Sequence, residues 1–311
     1  MIAAVCTKFG APEVLHITDS EKPSPKDNEV LVKIYATTVE KDDPLMRKMP
    51  GLNGIFKPKQ PVLGLEFSGI VEAVGRDVSG LKIADEVFGN MGMSMGAYAE
   101  YLCVPADGAV VLKPSNMTFE QAASVTDGAI TAIPFLRDAG KIKAGMNILI
   151  NGASGGVGSA AVQVSKYYGA TVTGVCSTGN LETVKNLGAD KVVDYTAADF
   201  TKTDEKYDIV FDVAGKSSFS RCKNILNSKG VFLTTIPVVD MLFNKRVKFI
   251  AAGLRKQSDK RKDLSLVKDI IEEGRYKAVI DRSFTLQQIR EAHRYVEAGR
   301  KKGSVVIKVV E

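Results

Sequence analysis

The N-terminal third of the chain shows the pattern of short β-strands. Apolar and polar positions alternate, with many β-branched side chains, in runs such as Val30–Tyr35, Gly69–Val74 and Ala97–Val104. Alternation of this kind predicts strands that bury one face. Gly, Pro and Asp residues separate the runs at short intervals up to about residue 120. Closely spaced strands joined by such turns predict a small domain of the β-barrel type.

The pattern changes after about residue 120 to buried strands that alternate with helices. Several of the strands are apolar along their whole length, and the segments between them have helical periodicity. The predicted strands span residues 146–151, 171–176, 191–195, 207–213, 230–236 and 247–251, and the predicted helices span residues 156–168, 180–187 and 217–226. Apolar strands joined by crossover helices predict a parallel sheet covered on both faces, which is the doubly wound α/β fold.

The C-terminal tail is predicted to return to the first domain. Residues 263–273 and 286–298 have the pattern of amphipathic helices, and residues 304–310 have that of a last strand. A chain of 311 residues is also too long for one ordinary core and suits two domains. We therefore predict a β-barrel-type domain over residues 1–122 and 265–311, and a parallel α/β domain over residues 123–264.

The strongest local motif lies between the first parallel strand and its helix. Gly155 and Gly158 have the spacing of the last two glycines of a dinucleotide-binding fingerprint, and Ala153 stands in place of the first. Residues without bulk are needed where the chain turns, where backbone approaches a pyrophosphate and where the helix packs on the strand. An ordinary strand-to-helix turn is the alternative, but the strands and helices that follow favour a Rossmann dinucleotide-binding domain. The amides expected to donate to phosphate oxygens belong to Ser154, Gly155, Gly156 and Val157.

The loop after the second parallel strand favours NADPH over NADH. NAD-specific sites usually place Asp or Glu there, to hold the ribose 2′-hydroxyl. Here Ser177, Thr178 and Asn180 follow the strand, and the first acidic residue, Glu182, lies inside the next helix. Without that carboxylate a 2′-phosphate is not repelled, and the polar side chains can hydrogen-bond to it. The loop has no Arg or Lys, so NADH stays open as the less favoured cofactor. A surface turn in which Asn180 only caps the helix is the other interpretation.

The chain is poor in residues that bind zinc. It has two histidines, His16 and His293, which we interpret as surface or packing residues. The four cysteines are scattered without a Cys-x-x-Cys pair, which indicates reduced thiols as in the cytoplasm; they are Cys6, Cys103, Cys176 and Cys222. Without a metal there is no Lewis acid to polarise an alcohol. The predicted chemistry is therefore hydride transfer to an acceptor that is already electrophilic, such as a quinone or an α,β-unsaturated carbonyl.

Charge and hydropathy favour neither a nucleic acid nor a membrane as the partner. The net charge is +6, and the densest basic stretch, Arg255–Lys262, has no aromatic side chains between its cations. A solvated surface is therefore favoured over a nucleic-acid site. No apolar segment reaches the roughly 18 residues of a membrane span. The N-terminus does not have the pattern of a signal peptide, and we expect a cytoplasmic protein.

Five segments of the sequence together resemble one family. They are Gly64–Gly75, Ala84–Gly89, Gly96–Tyr101, the phosphate loop and Leu187–Tyr195. With them the chain resembles the medium-chain dehydrogenase/reductase superfamily over essentially its whole length. The branch it resembles is that of the zinc-independent quinone oxidoreductases, which includes ζ-crystallin and the chloroplast-envelope quinone oxidoreductase homologue. The resemblance implies a GroES-like fold for the β-barrel-type domain. Zinc-dependent members have His where this chain has Leu65, in agreement with its scarcity of histidine.

The resemblance also implies which residues contact the cofactor. In members that use NADPH, the second-strand loop and a later Tyr surround the 2′-phosphate, and the matching residues here are Ser177, Asn180 and Tyr195. Thr131 is expected to line the nicotinamide side. A half-buried strand aromatic is the alternative for Tyr195.

An early loop borders the substrate pocket in this family. The loop usually has the sequence Val-Asn-Pro-x-Asp, and here it is Val39–Asp43. Asp43 matches the last position and is a candidate pocket residue. Glu40 replaces the Asn, and its charge either changes substrate choice or faces water.

Motifs and resemblance together predict an NADPH-dependent reductase of quinones or α,β-unsaturated carbonyls. Related enoyl reductases use a Tyr as proton donor near the early loop, but residues 40–60 contain no Tyr, so no general acid is predicted. Two alternatives remain, an NADPH-binding redox sensor or structural protein with little turnover, and an alcohol dehydrogenase. The resemblance also implies a homodimer.

Overall fold

The computed structural model of the protein describes residues 1–299 and 301–310. Its strands are β1 Ile2–Cys6, β2 Leu15–Asp19, β3 Glu29–Val39, β4 Glu66–Val74, β5 Glu86–Asn90, β6 Tyr101–Pro105, β7 Val110–Leu112, β8 Asn147–Asn151, β9 Thr171–Cys176, β10 Lys191–Asp194, β11 Tyr207–Asp212, β12 Leu226–Thr234, β13 Val247–Lys248, β14 Ile280–Thr285 and β15 Ser304–Lys308. Its α-helices are α1 Asp43–Lys48, α2 Phe119–Pro134, α3 Gly156–Tyr167, α4 Leu181–Asn186, α5 Phe219–Cys222, α6 Asp240–Phe243, α7 Gln257–Glu272 and α8 Ile289–Glu297.

The chain forms two compact units. Unit 1 comprises Met1–Asp127, Gly253–Glu272 and Ala278–Glu311, and unit 2 comprises Gly128–Ala252 and Glu273–Lys277. The whole of α7 lies in unit 1, whereas the sequence prediction divides this helix at residue 265. It belongs there because it packs against β5 and β7.

Unit 2 is built on a parallel sheet. Its strand order is β10-β9-β8-β11-β12-β13, and every neighbouring pair is parallel. Numbered within the unit this is 3-2-1-4-5-6, the order of the Rossmann fold. The helices α3 and α4 pack against β8, β9 and β10. The predicted doubly wound parallel fold is therefore confirmed.

Unit 1 is built on a mainly antiparallel sheet. Its order is β14-β15-β3-β4-β5-β7, β6 also pairs with β3, and only β14 and β15 run parallel to each other. Strand β15 pairs with β3 in a register that sets Val305 against Val39. Helix α8 contacts β14, β15 and β3. The last helix and strand of the chain therefore pack against the N-terminal strand β3.

The basic stretch Arg255–Lys262 is less solvated than the sequence prediction states. The side chain of Lys260 is almost fully buried, with 1 % exposed. Its Nζ donates to Asn90 Oδ1 at 3.1 Å and to the carbonyl of Gly253 at 2.9 Å. Arg261 donates to the carbonyl of Ala106. Lys260 and Arg261 thus serve the packing of α7 within unit 1.

Two further observations concern membranes and thiols. Within residues 1–299 and 301–310, no helix combines the length and the apolar character needed to cross a bilayer. Each of the four cysteines is a free thiol, and only Cys103 is more than marginally accessible. The thiols of Cys6, Cys103, Cys176 and Cys222 have pKa values raised by burial.

Candidate functional site

The phosphate loop turns sharply at Gly152. This residue has a φ of +90°, a conformation that favours glycine. The amides of Gly152 and Ala153 both donate to the carbonyl of Val175, at 3.0 Å each, and so join the turn to β9. The sequence analysis placed Ala153 at the turn, but Ala153 is fully buried against β9. The turning glycine therefore stands one residue earlier than the prediction.

The other two glycines of the loop differ in what surrounds them. A Cβ on Gly158 would lie 2.0 Å from the carbonyl oxygen of Gly152, so the fold itself requires glycine there. A Cβ on Gly155 would meet only that same oxygen, at 3.7 Å. Gly155 has φ −79°, which any residue can adopt. The fold therefore does not require glycine at 155, and the space beside this residue is open.

The helix that follows the loop begins beside Gly155. Helix α3 starts at Gly156 with Gly155 as its N-cap. Amides in the first turn of a helix have no carbonyl partner within the helix, and they carry the positive end of its dipole. The predicted donors at Gly156 and Val157 lie in this first turn, as in anion-binding helix starts. The amide of Gly155, also predicted as a donor, instead donates to the carbonyl of Gly152 at 3.2 Å.

Three of the predicted cofactor residues lie together beside this loop. Asn180 Nδ2 donates to Ser154 Oγ at 3.2 Å and to Ser177 Oγ at 3.1 Å. Both hydroxyl oxygens accept from Asn180, which leaves each O–H free to donate outward. The Oδ1 atom of Asn180 is buried and has no hydrogen-bond partner among the residues that the structure describes. A buried orphan acceptor costs free energy unless a donor reaches it. The group of Ser154, Ser177 and Asn180 is therefore suited to a polar ligand with hydroxyl groups and negative charge.

Tyr195 directly follows β10, and Thr178 lies in the loop after β9. The amide of Tyr195 donates to the carbonyl of Cys176, the last residue of β9. The Tyr195 side chain is 57 % exposed, so it is not the half-buried strand aromatic of the alternative interpretation. Thr178 Oγ1 is already bonded to the carboxylate of Asp194 at 2.5 Å. The sequence analysis missed Asp194, an acidic group beside the loop.

Thr131 lies in the part of α2 that belongs to unit 2. One turn before it, Gly128 approaches α3 so closely that a Cβ would lie 2.8 Å from the carbonyl oxygen of Gly156. The C-terminal half of α2 thus packs on the first turn of α3, and Thr131 is half-buried next to this crossing. The structure places Thr131 on the element that supports the phosphate loop.

The early loop of unit 1 is buried. Asp43 begins α1 with 1 % of its surface exposed, and its Oδ2 accepts from the amide of Glu40 at 2.7 Å. Burial raises the pKa of Asp43 to about 7, and the hydroxyl of Tyr98 faces its carboxyl group. The Glu40 side chain does not face water, because it is buried and forms an ion pair with Lys301.

Two further carboxyl groups lie near this loop. Glu66 is fully buried and accepts from Thr38 Oγ1 and Asn90 Nδ2, each at 2.9 Å. Burial raises its pKa well above the usual range, and the charge of Asp127 adds to the effect. Burial also raises the pKa of Asp127 to about 8. We call Glu40, Asp43, Glu66 and Asp127 the carboxyl cluster.

The sequence analysis did not predict the carboxyl cluster as a group. The sequence offered one signal for Glu66, which directly follows Leu65 in the family segment Gly64–Gly75. Nothing in the sequence indicates that Lys301 reaches Glu40, because 261 positions separate the two residues.

The two histidines are placed as predicted, one at the surface and one in packing. His16 is exposed, with Nδ1 3.0 Å from an Arg290 nitrogen. His293 is fully buried, with Nδ1 3.0 Å from Arg47 Nη1, and burial lowers its pKa to about 3. Across the described ranges 1–299 and 301–310, no group of three or more His, Cys, Asp or Glu side chains is arranged to hold a metal ion.

The parallel sheet order of unit 2 and its glycine-lined turn define the class of Rossmann dinucleotide-binding folds. Comparison with known families is consistent with this class. Residues 26–115 match the alcohol dehydrogenase GroES-like domain, and residues 187–307 match the family described as zinc-binding dehydrogenase.

Individual relatives cover nearly the whole chain. The chain is 33 % identical to 2-methylene-furan-3-one reductase of Solanum lycopersicum over 313 residues, covering 97 % of this chain and 77 % of that protein. It is 32 % identical to the chloroplastic NADPH-dependent alkenal/one oxidoreductase of Arabidopsis thaliana over 323 residues, covering 99 % and 79 %. The solved quinone oxidoreductase of Coxiella burnetii superposes with a TM-score of 0.87 at 28 % identity, covering 100 % of this chain and 99 % of the other. The chain belongs to the medium-chain dehydrogenase/reductase superfamily, in its quinone oxidoreductase branch, and is an oxidoreductase with a GroES-like and a Rossmann domain.

Proposed function

We propose that the protein is a zinc-independent reductase that uses NADPH to transfer a hydride to a quinone or an α,β-unsaturated carbonyl. The names of the relatives support both acceptor classes, because they include an alkenal/one oxidoreductase and a quinone oxidoreductase. They also support a nicotinamide cofactor. The open space beside Gly155 is the observation that carries the proposal, because the fold itself does not require glycine there.

The chain would hold the dinucleotide through main-chain and hydroxyl donors. The amides at the start of α3 would bind the pyrophosphate, which can approach closely because Gly155 has no side chain. The hydroxyl groups of Ser154 and Ser177 would donate to anionic oxygens, since Asn180 occupies their acceptor sites. Asn180 Oδ1 would gain the donor it lacks from a ribose hydroxyl. Tyr195 would cover the adenosine side from its exposed position after β10.

The chemistry needs little from the chain beyond orientation. When bound, the nicotinamide supplies the hydride. Thr131 would stand beside the nicotinamide ring, on the helix that packs against the phosphate loop. Holding two reactants in line accelerates their reaction strongly without any metal. An acceptor that is already electrophilic needs no Lewis acid, in agreement with the lack of histidine ligands.

The preference for NADPH over NADH is the finer part of the proposal. Ser154 and Ser177 offer two free hydroxyl protons, and the loop after β9 has no carboxylate at its first positions, which suits a 2′-phosphate. Asp194 opposes this preference, because its charge lies beside Thr178. We therefore expect NADPH to be preferred by a modest factor.

Calorimetry with a glycine variant tests the loop assignment. We expect Gly155→Val to reduce NADPH affinity at least about 100-fold, because its side chain would fill the space for the pyrophosphate. Gly253→Val is the matched control, since a Cβ at Gly253 meets no atom within 4 Å and the residue lies outside the loop. Far-UV circular dichroism should show both variants folded. Unchanged NADPH affinity in Gly155→Val would refute the loop assignment.

A turnover screen tests the reaction itself. Oxidation of NADPH and NADH should be followed at saturating quinone, alkenal and enone, with elemental analysis for zinc on the same preparation. Turnover of alcohols together with stoichiometric zinc would favour the alternative alcohol dehydrogenase. Cofactor binding without turnover on any acceptor would favour the redox sensor. A homodimer and a cytoplasmic location stay predictions, to be checked by light scattering and cell fractionation.

A further inference from the structure

Asp127 differs from the other members of the carboxyl cluster in its surroundings. Glu66 accepts hydrogen bonds, Asp43 accepts one from an amide, and Glu40 is paired with Lys301. The carboxyl group of Asp127 has no hydrogen bond or salt bridge among the residues that the structure describes, and its residue is partly exposed. It is thus the member of the cluster that a small molecule can reach.

The electrostatic surroundings of Asp127 favour its protonated form. The residue is partly exposed, but the surrounding protein removes much of the water from its carboxyl group. This desolvation comes first, and Glu40 and Asp42 add negative charge; together they raise the pKa of Asp127 to about 8, although Lys301 acts in the opposite direction. The charged and titratable groups that interact with it are Glu40, Asp42, Asp43, Glu66, Lys260 and Lys301. A carboxyl group that stays protonated at neutral pH can donate a proton.

The unpaired oxygen of Glu40 provides a second, independent observation. Glu40 is 5 % exposed, and its Oε1 atom has no hydrogen-bond partner within the described ranges, although its Oε2 is paired with Lys301. A buried carboxylate oxygen without a donor requires a water molecule or a ligand proton. The cluster therefore contains both a protonated acid and an unfilled acceptor, as a proton-transfer site needs.

The position of Asp127 along α2 connects it with the proposed reaction. Thr131 follows Asp127 by four residues in the same helix, so both side chains lie on one face of α2. Thr131 is the residue proposed to stand beside the nicotinamide.

We propose that Asp127 is the general acid that protonates the reduced acceptor. This inference rests on the proposed function. After hydride addition to the β-carbon of an enone, the π electrons move to the carbonyl oxygen and form an enolate. The O–H bond of Asp127 then breaks, and its proton forms the new C–H bond at the α-carbon. The carboxylate left behind is stabilised by Lys301 and takes its next proton from water.

The comparison of two acceptors separates this role from hydride transfer. A quinone becomes an aromatic hydroquinone anion, a weak base that water protonates, whereas an enolate is a much stronger base. For Asp127→Asn we expect kcat with cyclohex-2-enone to fall about 100-fold, while kcat with 1,4-naphthoquinone and both KM values change less than about threefold. Asp127→Glu should recover part of the enone activity. Equal loss with both acceptors, or no loss with the enone, would overturn the assignment.

The matched control lies on the same helix. Glu120→Gln also removes one carboxylate from α2, and it should leave both activities within about twofold. The pH profile adds a second readout, since kcat for the enone should fall above about pH 8 in the wild type and be independent of pH in Asp127→Asn. A wild type that reduces the quinone but not the enone would overturn the assignment of Asp127 alone. A wild type that reduces neither would refute the proposed function.

A measurement without nucleotide is independent of turnover. With ¹³C labels on the aspartate carboxyl carbons, one resonance should titrate near pH 8 in the nucleotide-free protein and be absent from Asp127→Asn. The assignment is wrong if the resonance that titrates near pH 8 is still present in Asp127→Asn. It is also wrong if the Asp127 resonance titrates below pH 5.

Discussion

At the scale of single residues, the loop after β9 is held by an acidic group from the end of the next strand, 16 positions further along the chain. Asp194 ends β10, and its two oxygens accept from Thr178 Oγ1 at 2.5 Å and from the amide of Thr196 at 2.9 Å. The hydrogen bond from Thr178, followed by those from Thr196, lowers the pKa of Asp194, so the carboxylate is charged at neutral pH. The negative charge absent from the end of β9 is thus supplied by the neighbouring strand.

Replacing this charge should change cofactor preference. We expect Asp194→Asn to bind NADPH about fivefold more tightly, because one exposed charge near a phosphate is worth on the order of 1 kcal/mol in water. NADH affinity should change less than about twofold, since the amide oxygen of Asn can still accept from the amide of Thr196 and its NH2 group can donate to Thr178 Oγ1. Calorimetry at low salt and at 0.5 M salt measures the effect, which added salt should reduce.

Asp199 provides the control for this variant. It also accepts from a Thr two positions later, through Oδ1 and the amide of Thr201, and it also lies at the surface. Asp199→Asn should leave the ratio of NADPH to NADH affinity unchanged. An equal gain in both variants would mean that net charge rather than position is responsible, and a lack of any gain in Asp194→Asn would place the 2′-phosphate away from Thr178.

The residues that sequence reasoning identified lie close to their partners along the chain, whereas those it missed lie far from theirs. Ser177 and Asn180 lie in one short loop, and a fingerprint places Ser154 beside it, so their grouping follows from known strand order. The partner of Glu40 is 261 positions away, and that of Lys260 is 170 positions away. Such pairs form only once unit 1 has folded, and no local pattern encodes them.

At the scale of elements, the strand-turn-helix from β8 to α3 is fixed by packing as well as by ligand binding. Gly152 is required by its positive φ and Gly158 by its contact with the Gly152 carbonyl, whereas Gly155 is free of both restrictions. The fingerprint alone does not distinguish these roles, because each position simply has glycine. Only the backbone geometry shows which glycine serves the fold.

This difference predicts that the same substitution destabilises the protein at Gly158 but not at Gly155. Gly158→Ala should lower the free energy of unfolding by at least about 2 kcal/mol, because its Cβ cannot fit at 2.0 Å from a carbonyl oxygen without moving α3 from β8. Gly155→Ala should change it by less than about 0.5 kcal/mol. Urea unfolding followed by circular dichroism measures both. Equal stability of the two variants would contradict the assignment of Gly158 to packing.

One predicted helix is shorter in the structure than its sequence pattern indicates. The sequence predicts a helix over residues 217–226, but α5 covers only Phe219–Cys222 and a 3₁₀ turn follows at Lys223–Ile225. Strand β12 then begins at Leu226, because this residue pairs with Tyr207 of β11. Apolar residues at helical spacing can therefore be recruited into a sheet when a neighbouring strand offers hydrogen bonds, and this depends on contacts outside the segment.

At the scale of the whole molecule, the buried ionisable groups determine how stability depends on pH. The pKa values of Asp43 and Asp127 are raised by burial to about 7 and about 8, and that of His293 is lowered by burial to about 3. The folded protein thus holds these carboxyl protons more tightly than the unfolded chain does, and it holds the histidine proton less tightly. Ionising the carboxyls or protonating the histidine therefore favours unfolding.

The signs give separate pH windows. A carboxyl with a raised pKa causes stability to fall as pH rises from its unfolded value near 4 to its folded value. A histidine with a lowered pKa causes stability to fall as pH drops from 6.5 towards 3. Above about pH 7 His293 is neutral in both states, so only the carboxyl groups contribute between pH 7 and pH 8.

We therefore expect the free energy of unfolding of the nucleotide-free protein to decrease between pH 6.5 and pH 8. Each proton contributes a slope of up to about 1.4 kcal/mol per pH unit, so Asp43 and Asp127 together should remove about 2 kcal/mol, and Glu66, whose pKa is also raised, adds to the loss. Asp127→Asn should be less sensitive to pH in this window, because it cannot ionise. His293→Asn keeps an acceptor for Arg47. It should show the same decrease in the free energy of unfolding between pH 6.5 and pH 8 as the wild type, and a smaller decrease below pH 6. Urea unfolding at half-unit pH steps measures all three, and a wild-type stability that rises from pH 6.5 to pH 8 would show that the buried carboxyl groups are already ionised.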